Sequence, residues 1–124
     1  MVKGIGIDSV DIEEMRRLCL DLEGSFVRRV FTAAERVEAI ERHDPVQVFA
    51  GKFAVKEAAF KALAQFTANG FDLRIIETLE DASGAPHITL TGPIAPILQQ
   101  AGVTELLVSI TNERGLATAI VLAQ

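Results

Sequence analysis

The chain has 124 residues, of which 49% are hydrophobic and 23% charged, with a net charge of −5 and a mean hydropathy of +0.30. Such a length accommodates one domain, here residues 1–124, and this composition excludes an intrinsically disordered segment. The single cysteine, Cys19, excludes an intrachain disulfide or a cysteine-cluster metal site, and an acidic chain lacks the extended basic surface of a general nucleic-acid binder. No stretch approaches the roughly 20 apolar residues that span a bilayer, and no basic segment with a long apolar run opens the chain, so no membrane association and a cytoplasmic location are expected. The apolar content is high for a small domain, and the surplus predicts an oligomer.

The pattern from Val2 to Val10 is β-rich, with Ile5 and Ile7 at strand period, and delivers Asp8 near a strand end. Ile12, Met15, Leu18, Cys19 and Leu22 follow at helical spacing, and Gly24 stops that helix. After a short segment from Phe26 to Phe31, Thr32-Ala33-Ala34-Glu35 matches a capping box and starts a second helix. Asp44-Pro45 is another start signal, opening one long central helix predicted over Val46 to Ala68 and closed by Asn69-Gly70. Leu73 to Leu79 and His87 to Thr91 read as two strands of a hairpin turning over Asp81 to Gly84. Gly92-Pro93 opens a short helix to Ala101, with Gly102 past its end. Leu106 to Ile110 and Leu116 to Leu122 then form a second antiparallel pair around Asn112 to Gly115, giving an α+β fold without internal repeats.

The densest chemical signal lies on the central helix, where Lys52, Lys56, Glu57 and Lys61 fall within ten residues. Helical spacing puts Glu57 and Lys61 one turn apart on one face. Spacing alone favours an exposed ion pair, with Lys52 and Lys56 keeping the helix soluble. Asp8, taken alone, suits a turn or a helix cap. It gains chemical meaning only beside Glu57, because two carboxylates supplemented by phosphate oxygens and water are a common way to hold Mg²⁺. Gly4-Ile5-Gly6 lacks the continuation of a dinucleotide or P-loop fingerprint. His43 and His87 lie in different predicted elements and are assigned to the surface. Arg16, Arg17, Arg28, Arg29 and Arg36 concentrate positive charge on the early helices, as a solvated face or as a lure for an acidic partner.

Two segments together, Gly4-Ile5-Gly6-Ile7-Asp8-Ser9-Val10-Asp11-Ile12 and Phe53-Ala54-Val55-Lys56-Glu57-Ala58-Ala59-Phe60-Lys61-Ala62, resemble the paired signatures of holo-acyl-carrier-protein synthases, the small 4′-phosphopantetheinyl transferases. Phe31-Thr32, Gly84-Ala85-Pro86 and Val108-Ser109-Ile110 extend the resemblance in order along nearly the whole chain. It implies transfer of phosphopantetheine from coenzyme A to a serine of acyl carrier protein, releasing adenosine 3′,5′-bisphosphate. It further implies an antiparallel sheet against a long central helix, and a homotrimer with coenzyme A sites between subunits.

Carried over by residue, the resemblance makes Asp8 and Glu57 the magnesium ligands and Lys61 a contact of the transferring phosphate. Glu57 also orients or deprotonates the serine through a water. Coenzyme A contacts fall on Lys52, Lys56, Lys61, Ser109 and Asn112, and Arg16, Arg17, Arg28 and Arg29 face the carrier protein. Lys52 stands where the family usually has arginine, Ala64-Gln65-Phe66 where it reads Gly-Thr-Gly, and Asn112 where it has histidine. These departures touch coenzyme A binding and no metal ligand. They leave two further readings open, a binding module that has kept the fold without efficient turnover and a purely structural oligomer.

Overall fold

The computed structural model describes residues 1–67 and 72–124. Its centre is helix α4 (Pro45–Ala62), which lies on a three-stranded antiparallel sheet in the order β1 (Gly4–Asp11), β5 (Leu116–Ala123), β4 (Leu106–Glu113). Helices α1 (Ile12–Leu18), α2 (Ser25–Val30) and α3 (Ala33–Ile40) pack at one end of α4. A hairpin of β2 (Thr78–Glu80) and β3 (Pro86–Ile88) and the short α5 (Ala95–Ala101) complete the fold.

The strands are long enough to alternate cleanly, so one sheet face is buried and the other is not. Ala117, Ala119, Val121 and Ala123 of β5 point at α4 and are fully buried, the last three in one cluster with Ala54, Val55, Ala58 and Ala62 and Ala117 in a second with Phe49 and Ala50. The small side chains bring sheet and helix close together. Closest of all is β1, where a Cβ added at Gly4 would stand 1.9 Å from the Ala62 carbonyl oxygen and one at Gly6 would stand 1.9 Å from that of Ala58. Backbone meets backbone there, and hydrogen is the only side chain that fits. The glycines that match no nucleotide fingerprint serve this crossing.

Several local signals hold. Thr32 Oγ1 accepts the Glu35 N–H at 3.2 Å and the Glu35 carboxylate accepts the Thr32 N–H at 3.0 Å, so the capping box is complete. Asp44 caps α4 through the Gln47 N–H, with Pro45 following. Gly102 ends α5 in the left-handed region at φ 69°. Other boundaries move. Phe26 to Phe31 is mostly helical, as α2, and α1 closes at Leu18 with Cys19 and Met15 buried together.

The central helix stops at Ala62 instead of Ala68, because Leu63 turns into the core and a 3₁₀ turn, Ala64–Phe66, follows. Ala68 and the Asn69-Gly70 stop signal lie outside the described residues. The strand expected over Leu73 to Leu79 is a 3₁₀ turn, Leu73–Ile75, followed by the short β2. Its physical cause is visible: the Leu73 and Ile76 carbonyls accept hydrogen bonds from the buried Lys56 ammonium. They are thereby withdrawn from any ladder.

Gly6→Ala is expected to cost about 3 kcal/mol, on the order of 10 °C in Tm, because the clash is with backbone and no rotamer relieves it. Calorimetry of the variant checks this. An unchanged Tm would mean that β1 does not lie against α4 as described.

Candidate functional site

The crossing of β1 on α4 builds the site. Along β1, Gly4, Gly6 and Asp8 share one face by the two-residue period, so the residue following the two close glycines is a carboxylate aimed at the helix. Lys61, one turn beyond Glu57, donates from Nζ to Asp8 Oδ1 at 3.1 Å and to the Ile7 carbonyl at 2.9 Å. Its side chain is about half exposed, whereas that of Asp8 is mostly covered. Glu57 is half-buried, and both Asp8 and Lys61 act on its charge. The structure therefore brings together the three residues that sequence spacing could only nominate.

Burial, and then the neighbouring Asp8 carboxylate, raise the Glu57 carboxyl above its ordinary value, while Lys61 opposes them. Two carboxylates with hard oxygen donors, one of them strained by the other's charge, fit a divalent cation of the Mg²⁺ type. Among the described residues no cluster of three or more His, Cys, Asp or Glu forms a metal cage, so substrate oxygens and water would have to complete any coordination shell.

Lys56 does not belong to this group, which corrects the expectation that it contacts a cofactor or keeps the helix soluble. One residue from Glu57 is a rotation of about 100° on a helix, and Lys56 turns fully into the interior. Its Nζ donates to Glu35 Oε1 at 2.7 Å and to the Leu73 and Ile76 carbonyls, and it lies 5.4 Å from the centre of the Phe31 ring. Burial pulls its ammonium below the ordinary lysine value, against the opposing pull of Glu35. All three ammonium protons have acceptors, so none remains for a ligand. Glu35 is correspondingly engaged, accepting also from the Thr78 N–H at 3.0 Å. That second role of a capping residue carried no signal in the sequence.

Lys52 is also buried, held by Glu38 at 2.7 Å and by the Thr78 carbonyl, but it does line a cavity of about 470 Å³ between α4, the β2–β3 hairpin and β4. Asn112 lines the same cavity. So does His43, exposed in the loop before α4, although sequence reasoning gave it no chemistry. Ser109 stands elsewhere: three residues from Asn112 on a strand, it lies on the opposite, outer face opposite Ile120. Of the four arginines assigned to a partner, Arg16 is engaged by Asp44 and Glu13 at 3.3 Å each, while Arg17, Arg28 and Arg29 are exposed.

The sequence matches the model of the 4′-phosphopantetheinyl transferase superfamily over residues 4–121. The chain belongs to that superfamily. It is 35% identical to a holo-[acyl-carrier-protein] synthase of Syntrophus aciditrophicus and 37% identical to one of Solidesulfovibrio magneticus, covering all of this chain and 97% and 99% of theirs. Among solved structures, the holo-[acyl-carrier-protein] synthase of Neisseria meningitidis superposes with a TM-score of 0.86 at 30% identity, over 100% of this chain and 99% of that one. The Helicobacter pylori enzyme in complex with coenzyme A gives 0.80 at 27% identity, over 97% and 99% of the two chains. The α+β architecture of a sheet against a long central helix is thus the architecture of these synthases.

The raised Glu57 carboxyl has a consequence for stability. It binds its proton more tightly in the fold than in the unfolded chain, so it favours folding while protonated, and this contribution is lost as pH rises through the folded value. Glu57→Gln, neutral at every pH, is expected to have a higher Tm than the parent at pH 7 in buffer containing EDTA. The gap should close as the pH falls below the ordinary glutamate range. A lower Tm at pH 7 would contradict the repulsion described here.

Proposed function

We propose that this protein transfers 4′-phosphopantetheine from coenzyme A to a serine hydroxyl of apo-acyl carrier protein, releasing adenosine 3′,5′-bisphosphate. The observation that carries the proposal is the meeting of Asp8, Glu57 and Lys61 where β1 crosses α4. The family membership and the coenzyme A complexes of similar synthases support it. A binding module without turnover is not favoured, since the acid pair and the lysine are present together.

In this reading Asp8 and Glu57 would hold Mg²⁺, with oxygens of the substrate completing its shell. The ion would supply charge neutralisation at the phosphoryl oxygens. Lys61, anchored by Asp8 and the Ile7 carbonyl with its outer half exposed, places a second positive charge against the same phosphate. The serine oxygen forms the new P–O bond as the bond to the adenosine-bearing phosphate breaks. Glu57, at the crossing of β1 and α4, would orient the serine or take its proton through a water. Arg17, Arg28 and Arg29, exposed on α1 and α2, offer charge to an acidic carrier protein, with Arg16 beside them.

We further propose a homotrimer assembled through the outer face of the sheet. The strand registers place Ile7 beside Ile120, Ile5 beside Leu122, and Leu122 in turn beside Leu107, in one apolar stripe. Ile5 and Ile7 are each 59% exposed, more than a stable monomer ordinarily leaves in a contiguous patch. Burial of that stripe accounts for the surplus of apolar residues. A cytoplasmic location fits a chain whose one cysteine is a buried thiol and in which no helix among the described residues is long and apolar enough to cross a membrane.

Two experiments test these readings. Apo-acyl carrier protein incubated with the protein, coenzyme A and Mg²⁺ should gain one phosphopantetheine group. EDTA should prevent it, and Asp8→Asn and Glu57→Gln should each lower the rate by about 100-fold or more, as expected for losing a group that acts on the transferring phosphate. A normal rate in both variants would remove them from the metal site. Separately, Ile7→Glu should reduce the mass found by light scattering from that of three chains to that of one, and a parent protein that is itself monomeric would refute the trimer.

A further inference from the structure

We propose, independently of the transferase reading, that Arg28 and Arg36 bind the phosphate of a small organic monoester in a second cavity of about 590 Å³. This cavity lies between the corner joining α2 to α3 and the facing segments that carry Arg74, Glu77 and Thr89. It shares no lining residue with the cavity of Lys52 and Asn112, and neither Asp8, Glu57 nor Lys61 lines it. Arg36 is the early arginine to which the transfer reaction gives no role. It is half-buried, and its Nε donates to the Thr32 carbonyl at 3.4 Å, as that of Arg28 donates to the Glu23 carbonyl at 2.8 Å. These bonds orient the two guanidiniums without neutralising them.

Among the described residues neither Arg28 nor Arg36 forms an ion pair, although Glu23 and Glu41 border the shallow groove on their other side. The acids of the cavity itself are engaged elsewhere. Arg74 takes both oxygens of Asp72, at 3.3 and 2.9 Å. Glu77 receives the Thr32 hydroxyl on one oxygen at 2.6 Å and the Thr89 hydroxyl on the other at 2.9 Å, and its charge also acts on the buried Lys56 ammonium. Two unmatched cations therefore line one cavity of a chain whose net charge is −5.

The number of donors selects the anion. With each Nε already used, each guanidinium still offers a fork of two terminal nitrogens. A carboxylate has two oxygens and is filled by one such fork, whereas a phosphate monoester has three free oxygens and close to two charges at neutral pH, enough for both. The rest of the cavity suits the organic part of such a molecule. Phe31, Ile75 and Pro93 supply apolar wall, the Thr91 hydroxyl has no partner among the described residues, and the volume lies in the range of small-ligand sites.

The test titrates the protein in EDTA with inorganic phosphate and with phenyl phosphate, following affinity by calorimetry and location by backbone amide NMR shifts. The shifts should centre on Thr32, Arg36, Thr89 and Thr91. Tighter binding of phenyl phosphate assigns the site to an organic monoester, and equal affinity assigns it to free phosphate, with the same two arginines as its donors. Arg36→Gln and Arg28→Gln should each weaken binding about tenfold, the worth of one charge-assisted hydrogen bond, with Tm in the absence of phosphate unchanged. Arg36→Lys should recover part of that loss, since the charge returns without the fork. Shifts centred on Lys61 or on the cavity of Lys52 overturn the proposal, as do parent affinity in both glutamine variants and a parent protein that binds neither anion.

Discussion

Everything chemical in this fold depends on the contact of β1 with α4 at Gly4 and Gly6. A strand separated from the helix by ordinary side chains would stand several ångströms further away, and Asp8 would then not reach the turn that carries Glu57 and Lys61. The site is thus fixed by an approach between two backbones, and the glycines are required for space, not for unusual dihedral angles. The alanines of β5 extend the same close approach across the sheet, so the crossing is supported along its length.

Helix α4 is buried on most of its circumference and divides its work by face. Ala54, Ala58 and Ala62 meet the sheet, Phe49 packs on Phe31 with ring centroids 4.6 Å apart, and Glu57 and Lys61 emerge at the crossing. Lys52 and Lys56 point toward the β2 side, where Glu38, Glu35 and backbone carbonyls receive them. Ion pairs of this burial add little net stability relative to a well-packed apolar core, but losing one partner leaves an uncompensated charge. Their structural effect is to fix the irregular segment from Leu73 to Thr78 against the helix. That segment leads into the hairpin carrying Gly84 and Pro86, so the buried lysines shape the cavity from behind.

Local physics was the part of this structure legible in the sequence. The Thr32–Glu35 box, the Asp44-Pro45 start, the Gly102 stop and the closing hairpin each depend on a few neighbouring residues, and all appear where the pattern puts them, except that β4 runs on through Asn112 to Glu113. Helical spacing also set Glu57 and Lys61 on one face correctly. The misread features depended on distant partners. Leu73 to Leu79 has strand composition, yet two of its carbonyls answer to Lys56, and no local pattern reports that. Lys56 itself differs from Glu57 by one helical step, and Ser109 from Asn112 by an odd number of strand steps. Each step separates interior from solvent or one face from the other. Resemblance could nominate these residues as a set, but only geometry could sort them.

Directly after α4 the chain differs from the Gly-Thr-Gly that the resemblance implies. Ala64-Gln65-Phe66 forms a 3₁₀ turn directly after α4, and the Gln65 side chain donates to the Lys3 carbonyl at 2.9 Å. A glycine pair at these positions would leave the turn free to follow a ligand, at the entropic cost that glycine brings. Here the turn is tied to the residue preceding β1, the strand that carries Asp8. The end of α4 and the start of β1 are thereby joined twice, by backbone contact at the glycine crossing and by a side-chain bond just beyond it. Ala64-Gln65-Phe66 gives up the conformational freedom of glycine for a firmer hold on the strand that carries Asp8.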